Sequence, residues 1–260
     1  MRIKPFCLIP LFSLVFFACG EKMVVKPYNE GLHIIPEPER ITQQTGEFVL
    51  NPNTLFIIDN DTLDAVAGYF KYKIKQSTGY QLADGQEAER NYIRLALDTT
   101  LNLKEEGYKL AVLPEGIWVR SQSPQGIFYG MQTVMQLLPA EIESEQVINN
   151  IVWAMPCVEI EDEPAYSYRG MMLDVSRHFH DVAFVKKQLD IMAMFKLNRF
   201  HWHLTNDHLW TIEIKKYPRL TEVGSVRRNA DGSIHKGFYT QEQIKEVVAY
   251  AAERFITVIP

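Results

Sequence analysis

The sequence predicts an α/β protein in two parts, an α+β layer over residues 32–140 and a parallel β/α structure over residues 165–260. Three observations predict it. Residues between Glu47 and Ser121 alternate as short strands separated by Asn, Pro and Gly turns. From Tyr168 onward strand and helix patterns take turns, the rhythm of parallel β/α units. Between the two, residues 141–164 are acidic and interrupted by Pro156 and Pro164, and read as a linker.

The chain opens with "MRIKPFCLIPLFSLVFFACG", in which Arg2 and Lys4 precede a short apolar stretch and small residues surround Cys19. That is the layout of a secretory signal. The apolar stretch is shorter than the ~20 residues a transmembrane helix needs. Ala18-Cys19-Gly20 resembles the lipobox of bacterial lipoproteins, although Phe16 and Phe17 depart from its usual residues. The expectation is a leader over 1–19, a tether over 20–31, and export to the bacterial periplasm, outer membrane or cell surface on a lipid at Cys19. Simple secretion is the alternative. Cys7 and Cys19 belong to the leader, so Cys157 has no partner for an intrachain disulfide and reads as a small buried apolar residue.

In the first part "EFVLNPNTLFIID" gives two strands about the turn Asn51-Pro52-Asn53. "DAVAGYFKYKIKQSTG" reads as a helix stopped by Gly79, with Ala65, Tyr69, Tyr72 and Ile74 as its apolar positions. "YIRLALD" is a strand, "GYKLAVLPEGIWVRSQ" a hairpin turning at Pro114-Glu115-Gly116, and "PQGIFYGMQTVMQLLP" a helix ended by Pro139. One sheet with helices on one face results. In the second part "RGMMLDVS" is a strand. Asp181 caps a helix with Val185, Leu189 and Met192 at helical spacing, and "NRFHWHL" is the next strand. Thr240 and Gln243 form a capping box for a helix whose apolar face is Ile244, Val247, Val248 and Ala251, and "FITVIP" is a third strand. The pattern alone fits either a barrel or a doubly wound sheet.

A hydrophobic content of 47% with 23% charged residues is that of a globular protein. The net charge of −5 gives no basis for binding nucleic acid. The longest basic run, Arg227-Arg228, reads as a solvated turn. No phosphate loop, dinucleotide fingerprint or Gly-x-Ser-x-Gly elbow occurs, and no cofactor is expected. His201 and His203 share a strand face, but without His-Glu-x-x-His or Cys/His ligand spacing a metal site is the lesser reading. His180 and His235 read as hydrogen-bonded barrel residues, and Met171, Met172, Met192 and Met194 as core fillers.

In β/α structures chemistry gathers at the carboxyl ends of the strands. By that rule Asp174, Arg177 and His178 follow one strand, and His203, Asn206, Asp207 and His208 follow the next. A guanidinium, carboxylates and histidines on one rim suit a polyhydroxylated ligand, and Trp210 is placed to stack on a sugar face.

The run "YRGMMLDVSRHF" followed by "MAMFKLNRFHWHLTNDHLWTIEIKKYPRLTEVGS" resembles glycoside hydrolase family 20, the β-N-acetylhexosaminidases. "IIPEPERITQQTGEFVL" and "EGYKLAVLPEGIWVRSQSPQGIFYGMQTVMQLLP" are similar to the ends of that family's N-terminal domain. The resemblance implies the first three β/α units of a (β/α)8 TIM barrel. It implies an exo-acting enzyme that removes terminal N-acetylglucosamine or N-acetylgalactosamine from glycans, with the substrate's own acetamido oxygen as nucleophile. Arg177 would grip hydroxyls of the terminal sugar, Asp174 and His178 would hold its loop, and His203, Asp207 and Trp210 would complete the binding set. Asn206 stands where the family has an aspartate that supports a histidine assisting the general acid, and an amide brings no charge to that task. The family's general acid glutamate and orienting aspartate fall beyond Pro260, the residue that closes "FITVIP". These 260 residues are therefore expected to be a truncated portion, inactive alone. The alternative is a non-catalytic carbohydrate-binding remnant.

Overall fold

The computed structural model describes residues 32–260; the expected leader, the tether and Cys19 lie outside the described residues. β1 (Arg40–Val49) turns through Asn51-Pro52-Asn53 into β2 (Leu55–Ile58). α1 (Asp64–Thr78) ends at Gly79, whose φ of 75° and N–H bond to the Lys75 carbonyl make a left-handed stop that glycine adopts without a Cβ clash. Its buried face is Val66, Ala67, Phe70 and Ile74. The expected face was rotated, for Tyr72 is exposed and bonds only Gln76.

β3 (Asp84–Gly85) and β4 (Tyr92–Leu97) precede the hairpin of β5 (Tyr108–Leu113) and β6 (Gly116–Ser121). α2 (Pro124–Leu137) begins on Ser123, whose hydroxyl accepts the Gly126 N–H, with proline in the first turn. β7 (Ala154–Asp162) then completes a seven-stranded sheet in the order β1-β7-β5-β6-β4-β2-β3.

β7 corrects the expected linker over 141–164. It pairs antiparallel with β1 on one side and β5 on the other, so the sheet of the first part runs to Asp162 and not to residue 140. Pro156, which suggested a break, has no N–H to give. Its place is tolerated because the β5 ladder ends at Val158 and β1 shifts register between Gln43 and Glu47, beside Pro156.

The second part contains β8 (Gly170–Asp174), α3 (Val182–Met194), β9 (Arg199–His203), the short α4 (Arg219–Glu222), a hairpin of β10 (Val226–Arg228) and β11 (Ile234–Lys236), α5 (Gln241–Ala252) and β12 (Thr257–Ile259). β8, β9 and β12 form a parallel sheet in the order β12-β9-β8. Alternation puts Phe200 and Trp202 on one face of β9, fully buried, and His201 and His203 on the other. Met172 pairs with His201 and is 55% exposed, so it lies on the open face and is not the core filler expected of it. α3 and α5 lie side by side, joined by Lys186–Glu246 at 2.5 Å and by Asp190, which accepts from Tyr250 at 2.8 Å and Arg254 at 2.6 Å.

α2 is the layer between the two parts. Eleven of its fourteen residues are buried, so it has no solvent face. A Cβ at Gly126 would meet the Ser121 hydroxyl at 2.0 Å, and one at Gly130 would meet Val119 at 2.5 Å; these glycines let the helix lie directly on β6. Its other side meets the second part through Phe128 against Phe255 at 5.3 Å and Gln136, which donates to the Met194 carbonyl at 3.0 Å.

α3 and α5 each end in a Schellman turn without glycine. Leu197 N–H reaches the Met192 carbonyl at 2.9 Å about Lys196, whose φ is 57°. Ile256 N–H reaches the Ala251 carbonyl at 3.0 Å about Phe255, also at 57°. The buried Lys196 ammonium donates to Tyr108 at 2.8 Å and to Asp162 at 3.1 Å. Burial holds that ammonium's pKa below the usual lysine value, against the opposing pull of Asp162. Asp162→Ala leaves a buried charge with only a phenol for company, and is expected to lower the unfolding free energy by roughly 3 kcal/mol. Urea denaturation measures this, and a loss below about 0.5 kcal/mol would show that the pair does not hold the two parts together.

Candidate functional site

β8 and β9 end level with each other, so Asp174 stands beside His203. The chain turns sharply after Asp174 because its carboxylate accepts the N–H groups of Ser176 at 3.0 Å and Arg177 at 2.9 Å. The Arg177 guanidinium folds back onto the same carboxylate. Burial alone would raise the Asp174 pKa, but the Arg177 N–H, the Arg177 guanidinium and His203 together hold it below the usual carboxylate value. Asp174 is thus a fixed anion, and Arg177, 57% exposed, is presented to solvent from a loop with a fixed backbone.

Ser176 ties this loop to the one after β9. Its buried hydroxyl lies 2.6 Å from Asn206 Oδ1 and also contacts the Leu209 carbonyl. Asn206 Oδ1 accepts the His208 N–H at 2.8 Å as well, which fixes which end of the amide is oxygen. The Asn206 amide nitrogen therefore faces His203 Nε2 at 3.2 Å. An N–H only donates, so His203 accepts at Nε2 and carries its proton on Nδ1. An aspartate here would accept from Nε2–H and select the opposite tautomer.

Trp210 is half-buried, its indole N–H committed to the Ile212 carbonyl at 2.8 Å. It lines a shallow cavity of about 340 Å³ with His201, His203, Thr205 and Pro260. Pro260, which closes the predicted third strand, also belongs to this wall. It directly follows β12, whose Ile259 pairs with His201, so the parallel register carries the proline to the same strand-end rim. A proline has no side-chain donor or acceptor, which makes its part in the cavity one of shape. His203 thus touches both the cavity and the Arg177 loop. Asp207 and His178 are exposed and make none of the bonds that fix Asp174, Asn206 and His203. The His201 and His203 rings are 6.1 Å apart, and among the described residues no three His, Cys, Asp or Glu side chains are grouped to hold a metal ion.

The hairpin of β10 and β11 was not anticipated. Arg227, expected in a solvated turn, donates to His208 Nδ1 at 2.7 Å and to the Arg177 carbonyl at 3.3 Å. His235 is not a barrel residue but sits on this hairpin and accepts the Phe179 N–H at 2.8 Å. His180 stacks on Phe184 at 4.1 Å at the start of α3. The signal that locates the hairpin is Asp231-Gly232, a turn dipeptide, with Gly232 at φ 84°.

Residues 166–260 match the profile of glycosyl hydrolase family 20, catalytic domain, and residues 31–163 match that family's domain 2. A β-hexosaminidase of Porphyromonas gingivalis is 48% identical over 259 residues, 98% of this chain and 33% of its own length. One from Vibrio furnissii is 36% identical over 88% of this chain and 37% of its own length. The chain thus spans about a third of the length of these curated relatives. Among solved structures, a mutant Streptomyces plicatus β-hexosaminidase in complex with its product GlcNAc superposes with a TM-score of 0.80 at 34% identity, covering 87% of this chain and 45% of that one. The β-N-acetylhexosaminidase of Bacteroides fragilis NCTC 9343 gives 0.75 at 34%, over 88% and 44%.

The His203 tautomer is directly measurable. Nitrogen-15 NMR of the imidazole in the neutral ring is expected to place the proton on Nδ1 in the native chain and on Nε2 in Asn206→Asp. The same tautomer in both would show that residue 206 does not set it.

Proposed function

The chain belongs to glycosyl hydrolase family 20, and on that premise we propose that it is the amino-terminal part of an exo-acting β-N-acetylhexosaminidase. The observation that carries the reading is the Asp174–Arg177 loop beside His203 at the carboxyl ends of two parallel strands, where β/α proteins keep their sites. The ligand is the terminal N-acetylhexosamine of a glycan, the class of sugar in the Streptomyces plicatus complex. Arg177 exchanges part of its exposed pairing with Asp174 for the sugar's hydroxyls, a polar-for-polar exchange of small cost. Trp210, His203 and Pro260 form the adjoining wall.

β8, α3, β9, α5 and β12 are the first units of a (β/α)8 barrel in this reading, supported by their sequential parallel order and by α3 lying against α5. The rim carboxylates among the described residues are Asp174, committed to its loop, and exposed Asp207. The general acid and the group that orients the acetamide are assigned to sequence outside residues 1–260. These residues alone accordingly bind the sugar without cleaving it. Asn206 favours a second reading, a carbohydrate-binding relative without turnover, because its amide gives His203 no anionic support. The chain's location follows its leader: export and a lipid tether at Cys19.

Residues 1–260 are expected to release no chromophore from an aryl N-acetylglucosaminide, yet to bind N-acetylglucosamine, with Arg177→Ala weakening binding more than about tenfold. Turnover that Arg177→Ala abolishes would overturn the assignment of the acid. Expression with the downstream coding sequence separates the two readings, since activity supports the enzyme and binding without activity supports the remnant. Radiolabelled palmitate is expected to enter the native chain in a bacterial host and to be lost in Cys19→Ala. Equal labelling of both would remove the anchor.

A further inference from the structure

The backbone of the loop that carries Arg177 is held at three successive points by one later segment, residues 227–239. Arg227 donates to the Arg177 carbonyl at 3.3 Å, His235 Nε2 accepts the Phe179 N–H at 2.8 Å, and the buried Tyr239 hydroxyl donates to the His180 carbonyl. Packing reinforces these bonds. The Phe179 ring lies 4.8 Å from that of Tyr239, and it occupies the space a Cβ at Gly237 would need, 2.1 Å away. Within the hairpin Arg227 and His235 are direct cross-strand partners, so the two polar holds sit on one rung. Arg227 also fixes His208, and through the His208 N–H that residue is bonded to Asn206.

We propose that the β10–β11 hairpin is the positioning element of the sugar-gripping loop, with Arg227 and His235 as positioning residues, and that protonation of His235 releases the loop. The inference rests on the sugar-binding reading of Arg177. The chemistry of the ring sets the direction. Nε2 accepts the Phe179 N–H only through a lone pair, which the imidazolium lacks. The charged or titratable groups facing the ring are Arg227 from β10 and His178 and His180 from the loop, with Lys236 next to it on β11. Burial, then Arg227, His178 and His180, hold the His235 pKa below the usual histidine value. A depressed pKa means the neutral, bonded form predominates at about pH 6.5 and above and is lost as pH falls through the lower folded value. Asp174, whose pKa is also depressed, stays ionised over that range and cannot account for the change.

The test measures amide hydrogen exchange of residues 177–180 and N-acetylglucosamine affinity from pH 7.5 to 5.5, using the 260-residue chain, His235→Ala, His235→Gln and Arg227→Ala. Thermal melts confirm that each variant is folded. In the native chain Phe179 protection, corrected for intrinsic exchange, is expected to fall on acidification toward a limit about tenfold lower, the factor of one ordinary hydrogen bond, with affinity falling alongside. His235→Ala should show the low values at every pH. His235→Gln, which keeps an acceptor near the place of Nε2, should restore protection and flatten the pH dependence. Arg227→Ala should weaken binding without removing its pH dependence. Unchanged Phe179 protection in His235→Ala would overturn the proposal, as would full sugar affinity despite a released loop. A native chain that shows the exchange pattern but binds no N-acetylglucosamine would sink the sugar reading and leave the hairpin's hold on the loop standing.

Discussion

α3 and α5 both stop on a non-glycine residue with left-handed backbone, and in each case the side chain at that residue crosses to the first part of the molecule. A left-handed non-glycine residue costs about 1 kcal/mol. Lys196 offsets this with charge-assisted bonds to Tyr108 and Asp162, and Phe255 with aromatic packing on Phe128. Everything downstream follows from these two fastenings. They set where β9 and β12 begin, because each strand starts within three residues of the stop before it. Strand starts in turn set the level at which Asp174 and His203 meet.

At the strand ends the organising constraint is the supply of donors and acceptors in a buried place. The Ser176 hydroxyl has one proton and lies against both Asn206 Oδ1 and the Leu209 carbonyl, so it is the shared knot of two loops. Orientation passes outward from it. The knot fixes the Asn206 amide and the amide fixes the His203 tautomer, while the Arg177 N–H and guanidinium keep the neighbouring Asp174 ionised. Asp174 then holds the turn from which Arg177 projects.

Periodicity made most of the elements legible. The capping box Thr240–Gln243, the Asp181 cap and the Gly79 stop all lie where local chemistry asks for them. β7 was obscured by Pro156, since its tolerance depends on a register shift in a partner strand more than a hundred residues earlier, which no local window contains. The face of α1 was rotated because Tyr72 counts as apolar in a pattern yet stands in solvent. Strand ends brought Asp174, Arg177, His203 and Asn206 into view, but which atoms face each other depends on tertiary hydrogen bonds. Arg227 and His235 were missed for the same reason, as their partners lie some fifty residues away in the chain. Pro260 escaped notice as a cavity residue because only the pairing of β12 with β9 brings it beside His201.

The glycine pair in α2 bears on how such a protein can be recombined. Sequence comparison divides the chain near residue 164, as though two modules had been joined. α2 belongs to the first module by sequence, yet it has no wet face, and its far side is shaped to Phe255, Met194 and Arg169 of the second. The first module is therefore not portable. Grafted onto another β/α module, it would carry a helix already cut to fit the partner it left behind.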